Sequence, residues 1–137
     1  MHMNQTEKQG PTKARRLREL IARRVVMLPG AFNALTAMQI ERAGFDAAYV
    51  SGASLAAARG LPDIGLLSMA EVVSDAKTIA SAVAIPALAD ADTGYGAPLT
   101  VARTVREFER AGLAGVHLEI RRIPRSAGTC RERAWCR

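Results

Sequence analysis

A chain of 137 residues, 49% hydrophobic and 23% charged, is long enough for one globular domain with its own core and too apolar to stay disordered. No apolar run approaches the roughly 18 residues of a membrane helix, and residues 1–24 are polar and Arg-rich without a signal-peptide core, so a cytoplasmic protein with no membrane partner is expected. The formal charge of +6 sits in the tails, with seven basic and two acidic side chains in residues 1–24 and six arginines against one glutamate in residues 120–137. The stretch between them is net acidic, and only 4% of residues are aromatic, so a nucleic-acid partner is not expected.

Residues 1–13 show no periodicity and are expected to be a disordered leader. From about residue 14 to 24, Leu17, Leu20 and Ile21 fall on one stripe of a short basic helix. Short apolar runs then alternate with helical stretches four times. Residues 25–28 (Val-Val-Met-Leu) are expected as a first strand, followed by a helix that Asn33 caps, that carries Leu35, Met38 and Ile40, and that stops at Gly44. Residues 47–50 are a second strand opening into Ser51-Gly52-Ala53. Ser68 caps a helix in which Met69, Val72, Val73, Ala76, Ile79 and Ala80 follow the 3.6-residue period, and residues 86–89 make a third strand. Pro98 starts a helix with Val101, Val105 and Phe108 inward, closed by Gly112, and residues 115–118 are the fourth strand. Apolar strands alternating with helices imply a parallel sheet covered by helices. Either a doubly wound sheet or part of a (β/α)₈ barrel satisfies that alternation. No G-x-G-x-x-G or G-x-x-x-x-G-K-[ST] follows any strand, which leaves a nucleotide-binding version without support.

Parallel α/β folds place their sites at the C-terminal ends of strands, and polar residues gather there: Ser51 after the second, Asp90 and Asp92 after the third, His117 and Glu119 at the fourth. Hard carboxylate oxygens at a strand end suit Mg²⁺, which keeps several waters and takes one or two direct carboxylates. Asp92, ahead of Thr-Gly-Tyr-Gly, reads equally well as a turn residue. Asp63 by itself reads as a solvated turn aspartate, His117 as a hydrogen-bonded core histidine, and Glu119 as a strand-end charge.

Six stretches read together are more specific. Leu28-Pro29-Gly30-Ala31-Phe32-Asn33-Ala34, Tyr49-Val50-Ser51-Gly52-Ala53-Ser54-Leu55, Gly60-Leu61-Pro62-Asp63-Ile64-Gly65, Asp90-Ala91-Asp92-Thr93-Gly94-Tyr95-Gly96, Val101-Ala102-Arg103-Thr104-Val105 and His117-Leu118-Glu119 resemble, in order and spacing, the first half of the isocitrate lyase and phosphoenolpyruvate mutase superfamily, closest to methylisocitrate lyases. The resemblance implies a partial (β/α)₈ barrel, about the first four β/α units plus an N-terminal helix, over residues 14–119. It implies a lyase in which Asp63, Asp90, Asp92 and Glu119 hold Mg²⁺, or Mn²⁺, directly or through water, while Tyr49, Ser51, Gly52 and Ala53 contact a small 2-hydroxy or 2-oxo acid. It also implies a homo-oligomer, a tetramer, for a full-length chain. Other branches of the superfamily, oxaloacetate decarboxylation or phosphonate chemistry, stay open, as does a non-catalytic module with basic tails.

After Glu119 the family pattern of Asp-Gln and then Lys-Arg-Cys-Gly-His, which carries the lyase acid/base cysteine, is absent. Residues 120–137 are Arg-rich and aperiodic, as a shifted reading frame in GC-rich DNA would give, so this segment is expected to be a non-family tail on a truncated, inactive chain. Cys130 is therefore not taken for the catalytic cysteine, Cys130 and Cys136 form no recognisable metal or redox pair, and no catalytic residue is assigned.

Overall fold

The computed structural model describes residues 12–120 of the chain. Helix α1 (Lys13–Arg23) starts where the Thr12 side chain accepts the Arg15 amide, one residue earlier than the sequence suggests. Of its expected apolar stripe, Leu17 is buried and Ile21 is exposed. The Nζ of Lys13 donates to the carbonyls of Ala80 and Val83 at 2.6 and 2.7 Å, and Arg16 reaches Ala84 O at 3.3 Å. These cations satisfy carbonyls at the negative end of a later helix, which is where positive charge is favourable. Burial holds the Lys13 amine below its usual pKa.

Strand β1 is Gly30–Ala31, not residues 25–28. Val25 and Met27 are 98% and 70% exposed and Val26 and Leu28 only half-buried, so this apolar run does not enter the core. The parallel ladder begins only at Pro29, whose carbonyl accepts the Tyr49 amide at 2.9 Å. Hydrophobicity alone placed the strand too early, because register is set by the neighbouring strand and not by local composition.

Helix α2 (Ala34–Arg42) is capped by Asn33, whose Oδ1 accepts the Thr36 amide at 2.8 Å. It ends in a Schellman turn, with Gly44 N donating to Glu41 O and Phe45 N to Ile40 O, and Gly44 supplies the left-handed φ of 84°. Ala37 and Ile40 face the core, whereas Leu35 and Met38 are 63% and 37% exposed. Strand β2 (Ala48–Val50) leads into a seven-residue helix, α3 (Gly52–Ala58), which the sequence reading did not resolve beyond the turn that opens it. Helix α4 (Met69–Ser81) carries a full capping box: Ser68 accepts the Glu71 amide while the Glu71 carboxylate accepts from Ser68. Those hydrogen bonds hold the Glu71 carboxyl below its usual pKa.

Strand β3 is Ala87–Asp90, helix α5 is Pro98–Arg110, and strand β4 is Gly115–His117. α5 closes at Gly112 with the same pair of bonds as α2, Gly112 N to Glu109 O and Leu113 N to Phe108 O. Its inward residues are Thr104 and Phe108, both fully buried, while Val105 is 38% exposed, contrary to the expected stripe. Three residues separate Val101 and Thr104 along this helix and four separate Thr104 and Phe108, so a buried threonine keeps the helical period that hydrophobicity alone could not see.

The strand order is β1-β2-β3-β4, every pair parallel. A doubly wound sheet reverses its order at a switch point, whereas sequential winding with right-handed crossovers puts every helix on one side. The sheet is therefore a partial (β/α)₈ barrel. Register divides its two faces. Ala31, Ala48, Val50, Ala87 and Ala89 lie against the helices at 0% exposure and form the core with Leu55, Ile79 and Phe108. The opposite, inner face carries Gly30, Tyr49, Leu88 and Gly115 in one row and Asp90 with His117 in the next. The strands are thus apolar on the helix-covered side, while the inner side carries Tyr49, Asp90 and His117. No helix among the described residues is long and apolar enough to cross a membrane. The leader and the tail with Cys130 and Cys136, except for Thr12, Lys13 and Ile120, lie outside the described residues.

Candidate active site

The site residues occupy the inner face and the loops that leave the C-terminal ends of its strands. Tyr49 on β2 and His117 on β4 lie on that face, and the Tyr49 hydroxyl is 3.2 Å from His117 Nδ1. His117 is thus neither a core histidine nor an isolated strand-end group, but the partner of Tyr49. Burial first, then the charges of Asp90, Glu119 and Asp92, push the Tyr49 phenol up to about 12. The three carboxylates whose charges act on this hydroxyl come from β3, the loop after β4 and the loop after β3.

Asp90 is the last residue of β3. Its Oδ1 accepts the Asp92 amide at 3.0 Å, closing an Asx turn, and its Oδ2 stands against Gly52, where an added Cβ would lie 3.5 Å from it. Ser51, placed by β2, spends its hydroxyl on the Ser54 amide as the cap of α3. Gly52 and Ala53 are the first residues of that helix, where amides have no intrahelical acceptor. Glu119 is fixed through its backbone, its amide donating to Asp92 O at 2.7 Å, and Ala91 N donates to His117 O, so the loop after β3 is stitched to the end of β4.

That loop holds unusual backbone. Asp92 and Tyr95 adopt left-handed φ values of 51° and 61°, which cost non-glycine residues about 1–2 kcal/mol each. Gly94 has φ 90°, and a Cβ there would meet Val101 Cγ2 at 2.6 Å. The turn reading of Asp92 is correct, and the turn carries Asp92 into a small cleft that it shares with Asp63, Gly52, Leu67 and Tyr95. The cleft has room for about one water, near 20 Å³.

Asp63 and Asp92 thus line one cleft, and the charges of Asp90, Glu119 and Asp92 act on the Tyr49 phenol. Among the described residues, no group of three or more His, Cys, Asp or Glu side chains stands close enough to enclose a metal ion. The donor chemistry still suits a hard divalent ion. The groups are all carboxylate oxygens, and Mg²⁺ needs few direct protein ligands. Sequence reading missed Tyr95 and Thr104 as parts of this region. The Gly-Tyr-Gly pattern marks left-handed turns, but nothing in the sequence pairs Thr104 with a loop ten residues earlier.

The profile of the family described as phosphoenolpyruvate phosphomutase matches residues 17–132. The chain is 46% identical over 117 residues to 2,3-dimethylmalate lyase of Eubacterium barkeri, covering 84% of this chain and 40% of that protein. It is 50% identical over 109 residues to probable 2-methylisocitrate lyase 1 of Corynebacterium glutamicum, covering 80% and 36%. The fold superposes with a TM-score of 0.80 and 36% identity on a phosphonopyruvate hydrolase solved with oxalate and Mg²⁺, over 85% of this chain and 41% of that one. The chain thus spans about two fifths or less of the curated relatives it matches.

Proposed function

The chain belongs to the phosphoenolpyruvate phosphomutase family, and from that premise we propose that it carries the metal-holding and carboxylate-binding part of a Mg²⁺-dependent carbon–carbon lyase, the whole protein cleaving 2-methylisocitrate to pyruvate and succinate. The observation that carries this reading is the meeting of the loops after β2, β3 and β4 at the C-terminal end of the sheet, where Asp90 stands against Gly52 while Asp92 bonds through its backbone to Asp90 Oδ1 and to the Glu119 amide and shares a cleft with Asp63. Asp63, Asp90, Asp92 and Glu119 are the residues that would hold the ion, some through water. Bound there, Mg²⁺ would act as a Lewis acid on the oxygens of an α-oxy acid and stabilise the charge left when the carbon–carbon bond breaks.

The chain's own groups do the rest. Tyr49 keeps its proton at any physiological pH, because its pKa stands near 12, so it serves as a hydrogen-bond donor to a substrate oxygen and not as a base. When His117 Nδ1 is unprotonated it accepts from Tyr49 and orients that hydroxyl. The amides of Gly52 and Ala53 supply donors for a substrate carboxylate beside Asp90. An anionic substrate beside so many carboxylates is repelled unless a cation stands between them, which is the electrostatic reason for placing the metal here.

No acid/base residue is assigned to the described part, and 2-methylisocitrate turnover by this polypeptide alone is not expected. A second reading within the family, phosphonate chemistry, draws on the TM-score of 0.80 to phosphonopyruvate hydrolase. Grafting residues 14–119 onto the remaining part of a methylisocitrate lyase tests whether this half supports lyase chemistry. Release of pyruvate and succinate by the graft, lost on Asp90→Asn, is the expected result. A folded graft without Mg²⁺-dependent turnover, or turnover by the 137-residue chain alone, contradicts the proposal.

A further inference from the structure

We propose that Thr104 is a positioning residue of the site, its buried hydroxyl clamping the loop after β3 to α5 and thereby setting where the Asp92 carboxylate stands. Thr104 is 0% exposed and is the sole polar residue in the buried set among the described residues. A threonine in a helix ordinarily turns its hydroxyl back to the carbonyl four residues earlier, as Thr78 does to Ser74 O at 3.1 Å. Thr104 instead reaches out of its helix and donates to Gly94 O at 2.9 Å, with Met69 Sδ at 3.2 Å as the weaker second neighbour of a group that has one proton to give.

The contact falls at the centre of the strained segment. Gly94 lies between Asp92 (φ 51°) and Tyr95 (φ 61°), and both of those side chains line the cleft with Asp63. Thr100 and Val101 on the same helix press so closely on Gly96 and Gly94 that a Cβ at either would sit 3.0 or 2.6 Å from them. These contacts exclude alternatives but attract nothing. The Thr104 hydrogen bond is a directional link from α5 to this loop, made to the carbonyl two residues after Asp92, and it adds to the bonds that Asp92 makes to Asp90 Oδ1 and the Glu119 amide. Left-handed backbone at non-glycine residues persists where surrounding structure over-determines it, and a buried hydrogen bond of fixed direction does so. A valine would fill the same space, so the hydroxyl is what the position requires.

The inference rests on the metal-site reading for its consequence and on geometry alone for the clamp, and the two are separable in the full 137-residue chain. Thr104→Val, Thr104→Ser and the core control Ile79→Val are compared by amide exchange over residues 91–97 and by calorimetric titration with MgCl₂. Thr104→Val is expected to speed exchange in 91–97 and to weaken Mg²⁺ binding by about tenfold each, the effect of one buried hydrogen bond. Thr104→Ser keeps both near wild type, and Ile79→Val lowers the melting temperature without moving either. Unchanged exchange in 91–97 for Thr104→Val overturns the clamp. An equal loss of Mg²⁺ affinity in Ile79→Val overturns the positioning role, since general destabilisation then explains it. A wild-type chain that gives no Mg²⁺ heat sinks the metal reading, while the exchange measurement still decides the clamp.

Discussion

The two faces of the sheet are built on opposite principles. The face under the helices is made of alanine, valine and their apolar partners at or near 0% exposure, with relaxed backbone and a cap at almost every helix start. The inner face carries Tyr49, Asp90 and His117, and its rim holds two non-glycine residues in left-handed conformation among carboxylates. One face accounts for the fold and the other spends stability on placement, the pattern expected where a site is grafted onto a scaffold.

Substitutions on the two faces should therefore separate stability from binding. The largest effect is expected from Phe108→Ala, which empties a fully buried site: about 3–5 kcal/mol of stability lost in urea unfolding. A loss under 1 kcal/mol would mean that α5 does not pack on the sheet as described. Asp90→Asn is expected to do the reverse. The amide oxygen can still accept the Asp92 amide, so unfolding free energy stays within about 1 kcal/mol of wild type, while Mg²⁺ affinity falls by about tenfold or more. The same change tests the electrostatics without metal. In a Tyr95→Phe background, absorbance titration should find Tyr49 near 12 and find it lower after Asp90→Asn, since removing a neighbouring negative charge favours the phenolate. It should stay above the ordinary value of 10.0, because burial is the larger cause. A folded-state pKa above the unfolded one makes the stabilising contribution of the protonated phenol complete below pH 10 and lost as pH rises toward 12. Ser68→Ala, which removes a capping box far from the rim, should cost about 1 kcal/mol and leave Mg²⁺ binding unchanged.

How much of this was legible follows the same division. Caps and stops were readable because they depend on one residue and its neighbours: Asn33, Ser68 and Pro98 start helices where expected, and Gly44 and Gly112 end them. Strand β1 was misplaced because residues 25–28 are apolar without pairing, and pairing is decided by a partner about twenty residues away. Strand order, which separates the barrel from a doubly wound sheet, is likewise a property of the assembled chain. At the rim, Asp-Ala-Asp-Thr-Gly-Tyr-Gly announced a turn with carboxylates, yet the sequence could not show that Asp92 would share a cleft with Asp63 while its charge acts on Tyr49. Val105 was expected inward where Thr104 stands, because a hydrophobicity pattern cannot anticipate a buried hydroxyl whose acceptor lies in another element.

The proposal that these carboxylates share one divalent ion is tested most directly by adding substoichiometric Mn²⁺ to isotope-labelled chain at neutral pH and recording which amide signals broaden. Broadening confined to the ends of β2, β3 and β4 and to the loop of Asp63, reversed by excess Mg²⁺, is the expected result. Broadening spread over the surface, or centred on the acidic groups of α4 and α5, would contradict it.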